Sequence, residues 1–260
     1  MKRAFIITIA LIFASLVAIN QRLDMKVNEL QTQVLERHDT SLDGLNTAVW
    51  NHLTIPTLED VVNPAMECVV EIHLEDWGLI GTGFHIGDGI IVTAGHITEI
   101  PEKEGIELTH VVFEDGTSYD IQCIYTHPDY DCGFILLDSI DKPFLKFDLD
   151  GLVRGETVLV LGHPLGDRYT FSVTHGIVSH LVRPEEGYYG DIELFQIDAP
   201  THGGNSGSPV LDAEGEIVGI LVGGPYSQCG SALDGISVCV PIDAILTAME
   251  AADLNQEEYE

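Results

Sequence analysis

Residues Asp198–Asp212 read DAPTHGGNSGSPVLD. Three glycines and two serines crowd around Asn205, just ahead of an apolar run. A glycine-rich hairpin would look like this. So would a tight turn that presents one hydroxyl for chemistry. In the second case Ser206 is the nucleophile, and the N–H groups of Gly204 and Ser206 point the same way, at a carbonyl oxygen gaining charge. Each such donor is worth roughly 10²–10³ in rate. Serine is a poor nucleophile at neutral pH unless a base takes its proton. The remainder of the chain must therefore supply a histidine and a carboxylate.

It supplies both at strand edges. IIVTAGHI places His96 after an apolar strand, at the close of a small-residue turn. A histidine by itself is weak evidence in a chain that has 11 of them. HPDYDCGFILLD places Asp131 immediately before another apolar run, where a carboxylate could be partly buried and hold an imidazole in the tautomer needed for base catalysis. Asp129 is the near competitor, while Asp138 lies too far along the strand.

The fold context comes from rhythm. From Cys68 onward the chain runs in short β-rich segments broken by turn signals such as GDG, EDG and AEG. These segments are CVVEIHLE, GTGFHIGDGIIVTAGHI, HVVFEDGTSYDIQCIYTH, CGFILLD, TVLVLGHP, FSVTHGIVSHL, LFQIDAP, PVLDAEGEIVGILVGG and GISVCVPI. Without intervening helices they predict an all-β barrel or sandwich architecture. PIDAILTAMEAADL is the sole good late helix, with Pro241 in its first turn and Ile242, Ile245, Leu246 and Met249 on one face.

The N-terminus differs. Lys2 and Arg3 precede sixteen uncharged, mostly apolar residues, Ala4 to Ile19. That is the start of a secretory signal or a signal anchor (residues 1–20). The run spans roughly 24 Å as a helix, slightly short of a bilayer core of about 30 Å. Cleavage after Ala18 would put Leu16 at a small-residue position, so an uncleaved anchor is the preferred expectation, with the remainder of the chain outside the cytoplasm. Residues 21–55 carry Leu23, Val27, Leu30 and Val34 at heptad spacing. They are a helical stalk, either a short coiled coil able to support a homo-oligomer or one amphipathic helix lying on the domain. Pro56 ends helix propensity, and Pro64 lies eight residues on. Residues 56–250 form the globular domain and 251–260 an acidic tail.

Composition excludes some partners. The 260 residues carry 42 acidic against 11 basic side chains, a formal charge of −31. Such a chain repels phosphate backbones, so nucleic-acid binding is not expected. Five cysteines cannot all pair within one monomer; Cys123–Cys132 and Cys229–Cys239 are the bridges considered for an oxidising compartment. CIYTHPDYDC has an apparent zinc-ligand spacing but lacks a second ligand pair, so a strand and its loop is the simpler reading. No metal and no cofactor are expected.

In this order, His96, Asp131 and Ser206 resemble the catalytic triad of the chymotrypsin-like serine peptidases, closest to the HtrA (DegP-like) branch and the bacterial glutamyl endopeptidases. GTGFHIGDGIIVTAGHI, DYDCGFILLD, VLVLGHPLGDRYTFSVTHGIVSHL and QIDAPTHGGNSGSPVLDAEGEIVGI are similar to successive HtrA segments, and GGNSGSPV is how glutamyl endopeptidases spell the serine motif. The resemblance runs from about Val69 to Ile245. It implies two six-stranded antiparallel β-barrels with the active site in the cleft between them, and a serine endopeptidase acting on protein or peptide substrates. It also implies that a substrate strand pairs near Leu221, Val222, Gly223 and Gly224.

There are departures. Leu221 stands where glutamyl endopeptidases carry the histidine that reads an acidic residue, and no acid is evident for binding Lys or Arg. A small or medium aliphatic residue before the cleaved bond is therefore expected. His202, four residues before the nucleophile, lines the pocket or is simply solvated. HtrA proteins usually continue into a PDZ domain, and none is expected here. The alternative function, a membrane-tethered, catalytically inactive peptide-binding module, would ordinarily have lost a triad member or the oxyanion glycine, and the sequence keeps them all.

Overall fold

The structure is a computed structural model and describes residues 25–27, 57–75, 77–185, 192–225 and 235–254. The chain divides into two units, residues 1–55 and 56–260. Among the described residues no helix is long and apolar enough to cross a membrane. The apolar run of residues 4–19 and nearly all of the 21–55 segment lie outside the described residues.

The second unit is all-β at its centre. Strands β1 (Val69–Leu74), β2 (Gly78–His85), β3 (Ile90–Thr93), β4 (Leu108–Phe113), β5 (Ser118–Thr126) and β6 (Gly133–Leu137) close into one barrel, in the order β1-β2-β3-β6-β5-β4. Strands β7 (Thr157–Gly162), β8 (Ser172–Glu185), β9 (Ile192–Ile197), β10 (Pro209–Leu211), β11 (Ile217–Gly223) and β12 (Ser237–Pro241) close the other, in the order β10-β11-β12-β9-β8-β7. Closure leaves no open sheet edge in either barrel, which is how short antiparallel strands avoid presenting unpaired backbone. β3 shows the consequence for sequence. Set between β2 and β6, all four of its residues are buried, so it reads as the unbroken apolar run Ile90, Ile91, Val92 followed by Thr93. Phe84, Phe113 and Phe134 fill the first barrel, while Val158, Val160, Phe195, Val210 and Leu221 share a cluster in the second.

The two barrels are joined along the connecting chain. Leu145 N–H bonds to His85 O, Phe147 forms a parallel bridge with Ile217, and Asp148 N–H bonds to Ile217 O.

Helices depart from the sequence expectation in two places. α1 (Leu58–Met66) is an element the sequence reading does not contain. It begins in a reciprocal capping box: Asp60 N–H donates to Thr57 Oγ1 at 3.3 Å and Thr57 N–H to Asp60 Oδ2 at 2.9 Å. Pro64 falls in its last turn, where it removes only its own bond to Asp60, and Val61, Ala65 and Met66 pack into the core. The β-run region is also not free of helices: α2 (Gly95–Thr98) and α3 (Ile100–Glu104) follow β3 directly. Their four and five residues are too few to show a helical period. α4 (Ile242–Ala251) is the expected C-terminal helix and buries Ile242, Ile245, Ala248 and Met249. Pro241 is its cap residue rather than part of its first turn.

Of the two bridges considered, Cys123–Cys132 is not formed. Cys68, Cys123, Cys132 and Cys239 are free. On the β5–β6 ladder Cys123 pairs with Leu136, whereas Gly133, beside Cys132, pairs with Thr126, so the two thiols stand at different levels. Cys229 lies outside the described residues.

Candidate active site

His96 is carried on α2, immediately after the buried end of β3. Two close approaches fix that short helix. A Cβ on Gly95 would come within 2.8 Å of Cys132 N, so only glycine lets α2 sit against the backbone following Asp131. Thr98 Oγ1 donates to Gly95 O at 2.9 Å and accepts from Thr126 Oγ1 at 2.7 Å, tying the helix to β5.

Asp131 reaches the histidine from the loop between β5 and β6. His127 clasps that loop: its Nδ1 accepts the Asp129 and Tyr130 N–H groups at 3.2 and 3.1 Å, and its ring stacks on Tyr130 at 4.5 Å. His127 N–H bonds to Cys132 O, closing the loop on itself. Asp131 is 8% exposed. Its Oδ1 accepts the His96 backbone N–H at 2.7 Å, and its Oδ2 accepts from His96 Nδ1 at 2.8 Å. With Nδ1–H committed to the carboxylate, Nε2 carries the lone pair and is the basic nitrogen. Asp129, the competing carboxylate, makes no such contact; its backbone serves His127.

The Ser206 segment is a chain of turns between β9 and β10. Asn205 N–H bonds to His202 O at 3.1 Å, and Gly204, at φ +97°, occupies the third position of that turn. This is the left-handed position of a type II turn, which favours glycine. A Cβ there would also strike His163 O at 2.3 Å. Gly207, at φ +87°, leaves room for Thr82 O at 2.0 Å and Ala94 N at 3.0 Å from where its Cβ would stand, so the serine turn rests against the chain leading into α2. Gly207 N–H bonds to Leu221 O, and Ser206 O accepts Thr82 N–H at 2.9 Å. Among the described residues, the N–H groups of Gly204 and Ser206 make no hydrogen bond. Both are left for a ligand, and Gly203 N–H likewise makes no hydrogen bond among the described residues.

The predicted substrate-binding residues separate into two kinds. Leu221 and Val222 are 1% and 2% exposed, so their side chains belong to the cores. Gly223 and Gly224 are half-buried and offer backbone. Gly224 packs on Ile236 O and faces Ser237, whose hydroxyl is bonded to Thr201 Oγ1 at 2.7 Å, an uncharged lining. The His202 side chain is exposed.

A carboxylate cluster lies elsewhere, at the junction of the connecting chain with the β10–β11 turn. Asp148, Asp212 and Glu216 bring ligand atoms within 4.8 Å of one another. Each Asp already accepts backbone N–H bonds, Asp148 from Asp150 and Asp212 from Glu214 and Glu216. Burial, then the Asp212 and Asp148 charges, pushes the Glu216 carboxyl up.

The family model described as a trypsin-like peptidase domain matches residues 81–220, the span that contains His96, Asp131 and Ser206. The chain belongs to the trypsin-like peptidase family. A second model, described as Peptidase S46, matches residues 192–255. Among curated relatives, a probable periplasmic serine endoprotease DegP-like of Marinomonas sp. (strain MWYL1) is 32% identical over 175 residues, 66% of this chain and 35% of that one. One of the same description from Brucella suis biovar 1 (strain 1330) is 36% identical over 166 residues, 62% of this chain and 30% of that one. The chain thus spans about a third of the length of these relatives. Among solved structures, the HtrA-type protease AlgW with tripeptide is 26% identical with a TM-score of 0.66, over 75% of this chain and 63% of that one.

Sequence reasoning missed the supports of this candidate site. Thr82 on β2, Thr98 on α2 and His127 in a loop are ordinary residue types, and nothing in their local sequence marks them. Thr82 acts across the barrels, Thr98 from α2 to β5 and His127 within its own loop, contacts that the three-dimensional structure alone shows.

Proposed function

We propose that the chain is a serine endopeptidase that cleaves peptide bonds in proteins through an acyl-enzyme. The observation that carries the reading is the doubly held His96–Asp131 pair, with backbone and ring both bonded to one buried carboxylate at 2.7 and 2.8 Å. The unengaged Gly204 and Ser206 N–H groups add to it. In this reading Ser206 Oγ attacks the scissile carbonyl while His96 Nε2 takes its proton. The oxyanion forms against the Gly204 and Ser206 N–H groups. His96 then returns the proton to the leaving amine, and water repeats the sequence to release the acid. Asp131 orients the imidazole and stabilises its charged form.

The substrate is an extended peptide segment, in keeping with the peptide-bound state of the HtrA-type relative. It lies along the backbone at Gly223 and Gly224. The uncharged surroundings of Ser237 and Thr201 favour a small or medium aliphatic residue before the cleaved bond. The relatives' periplasmic description and the apolar run at residues 4–19 support action outside the cytoplasm, with that run as export signal or tether. Residues 21–55 are the segment through which copies would associate.

A fluorophosphonate probe and a peptide library test this together. Wild-type protein should incorporate the probe and cleave after aliphatic residues. Ser206→Ala should abolish labelling and lower turnover by roughly 10⁴–10⁶. Folded wild-type protein that takes no label would sink the proposal.

A further inference from the structure

The loop between β7 and β8 braces the Ser206 turn, and one buried histidine organises that loop. Leu165 N–H donates to Gly203 O at 2.7 Å, and Thr82 Oγ1 donates to Gly204 O at 2.8 Å. Thr82 Oγ1 in turn accepts His163 N–H at 3.2 Å. His163 O accepts Gly166 N–H at 3.1 Å and lies against the Cα of Gly204, the carbonyl that a Cβ there would strike. The backbone of residues 163–166 therefore contacts both glycines whose conformation aims the Gly204 N–H.

What holds this backbone is a side chain. His163 is fully buried, and its Nδ1 accepts Phe171 N–H at 3.1 Å, a bond spanning eight residues that closes the loop. The Phe171 ring meets the imidazole edge-on, 4.6 Å between centroids. Both Leu165 (φ +62°) and Phe171 (φ +50°) are left-handed without being glycine. Such residues cost of order 1–3 kcal/mol each and persist only where their surroundings over-determine them. The ring nitrogen supplies that determination at Phe171. Nε2 makes no well-formed hydrogen bond among the described residues, and the Val70 main chain only tempers the effect of burial on the ring, so the Nδ1 acceptor contact is the ring's one well-formed hydrogen bond. An ordinary core position would be filled by an apolar side chain.

We propose that His163 is a positioning residue for the oxyanion turn, pinning the β7–β8 loop through Nδ1 so that its main chain holds Gly203 and Gly204 with the Gly204 N–H free to bind the oxyanion. This rests on the reading of Ser206 as the nucleophile. Burial pushes the imidazole down to about 4, which keeps Nδ1 an acceptor at working pH.

Three substitutions separate positioning from packing. His163→Asn puts an amide oxygen near the place of Nδ1 and should keep kcat within about threefold. His163→Leu fills the volume without an acceptor, and His163→Gln carries its polar end past the Nδ1 place. Both should lower kcat about 10- to 100-fold with KM little changed, a fraction of the 10²–10³ that follows loss of a whole oxyanion donor. Fluorophosphonate labelling of Ser206 should slow in parallel. Equal kcat for Leu, Gln and wild type would overturn the proposal. Should the Leu variant not fold, the Asn–Gln comparison decides by itself: equal kcat for those two overturns it. Wild type is labelled first, because unlabelled wild type would overturn the reading of the site and this inference with it.

Discussion

Asp131 holds His96 at two points, the backbone N–H through Oδ1 at 2.7 Å and the ring Nδ1 through Oδ2 at 2.8 Å. The first bond fixes the start of α2, and the second fixes ring and tautomer. Asp131→Asn should therefore separate the two effects. An amide oxygen can still accept the backbone N–H, so the fold should survive. Its NH₂ would face Nδ1 as a donor and leave the proton on Nε2, where it blocks general-base catalysis. Turnover should fall by about 10⁴, with a melting temperature near that of wild type. Asp129→Asn should leave turnover nearly unchanged, since its side chain takes no part in the pair. A comparable loss from Asp129→Asn, measured on the same peptide substrate, would reverse the assignment.

Gly204→Ala probes the turn more severely. The added Cβ would stand 2.3 Å from His163 O and force an L side chain to φ +97°. The turn must rearrange, most simply by rotating the peptide that carries the Gly204 N–H away from the oxyanion. A kcat loss of at least roughly 10²–10³ is expected, with a stability loss of about 1–3 kcal/mol from backbone strain. Chemical denaturation together with kcat and KM would check both parts. Wild-type kcat in a folded variant would show that Gly204 N–H is not an oxyanion donor.

Much of this was readable from residue order, and the unread part has a physical reason. The strands announce themselves because closed barrels bury alternate or whole runs of β-branched residues, as in β3. His96 and Ser206 each adjoin a glycine, Gly95 and Gly207, and Asp131 stands just ahead of the apolar strand β6, so the candidate residues fall where the sequence marks strand ends. α1 was hidden because its capping box and one buried face are packed around Pro64 in nine residues. Thr82 was hidden because its work is done across barrels, bonding Gly204, 122 residues away.

The four described cysteines should behave as thiols. Cys68, Cys132 and Cys239 are buried, and burial raises each thiol, Cys68 to about 12, while Cys123 is exposed. Thiolate is the reactive form, so native protein should be alkylated at Cys123 and protected at the other three. Peptide-level mass spectrometry after brief iodoacetamide treatment would show the pattern. A reductant should leave the melting temperature unchanged; a drop of several degrees would mean that a bridge involving one of these four thiols contributes to stability.

Acid should destabilise the domain through its buried histidines. His163 titrates near 4 in the native state against an ordinary 6.5, chiefly because burial disfavours the charged ring. Burial lowers His85 as well, in a site where Nδ1 faces Pro143 O and Nε2 accepts Gly89 N–H. Between those two pH values the unfolded chain binds a proton at residue 163 that the native protein does not. The contribution is therefore complete above about pH 6.5 and is lost as pH falls toward 4. A shift of this size corresponds to about 3 kcal/mol. The 42 acidic side chains titrate in part of the same range, and neutralising them relieves self-repulsion in the opposite direction. The difference between wild type and His163→Asn isolates the histidine, because the carboxylates affect both proteins alike. Urea unfolding at pH 7 and pH 4.5 should show wild type losing about 2–3 kcal/mol more than the variant. Equal losses would mean that the imidazole is not held neutral in the native state.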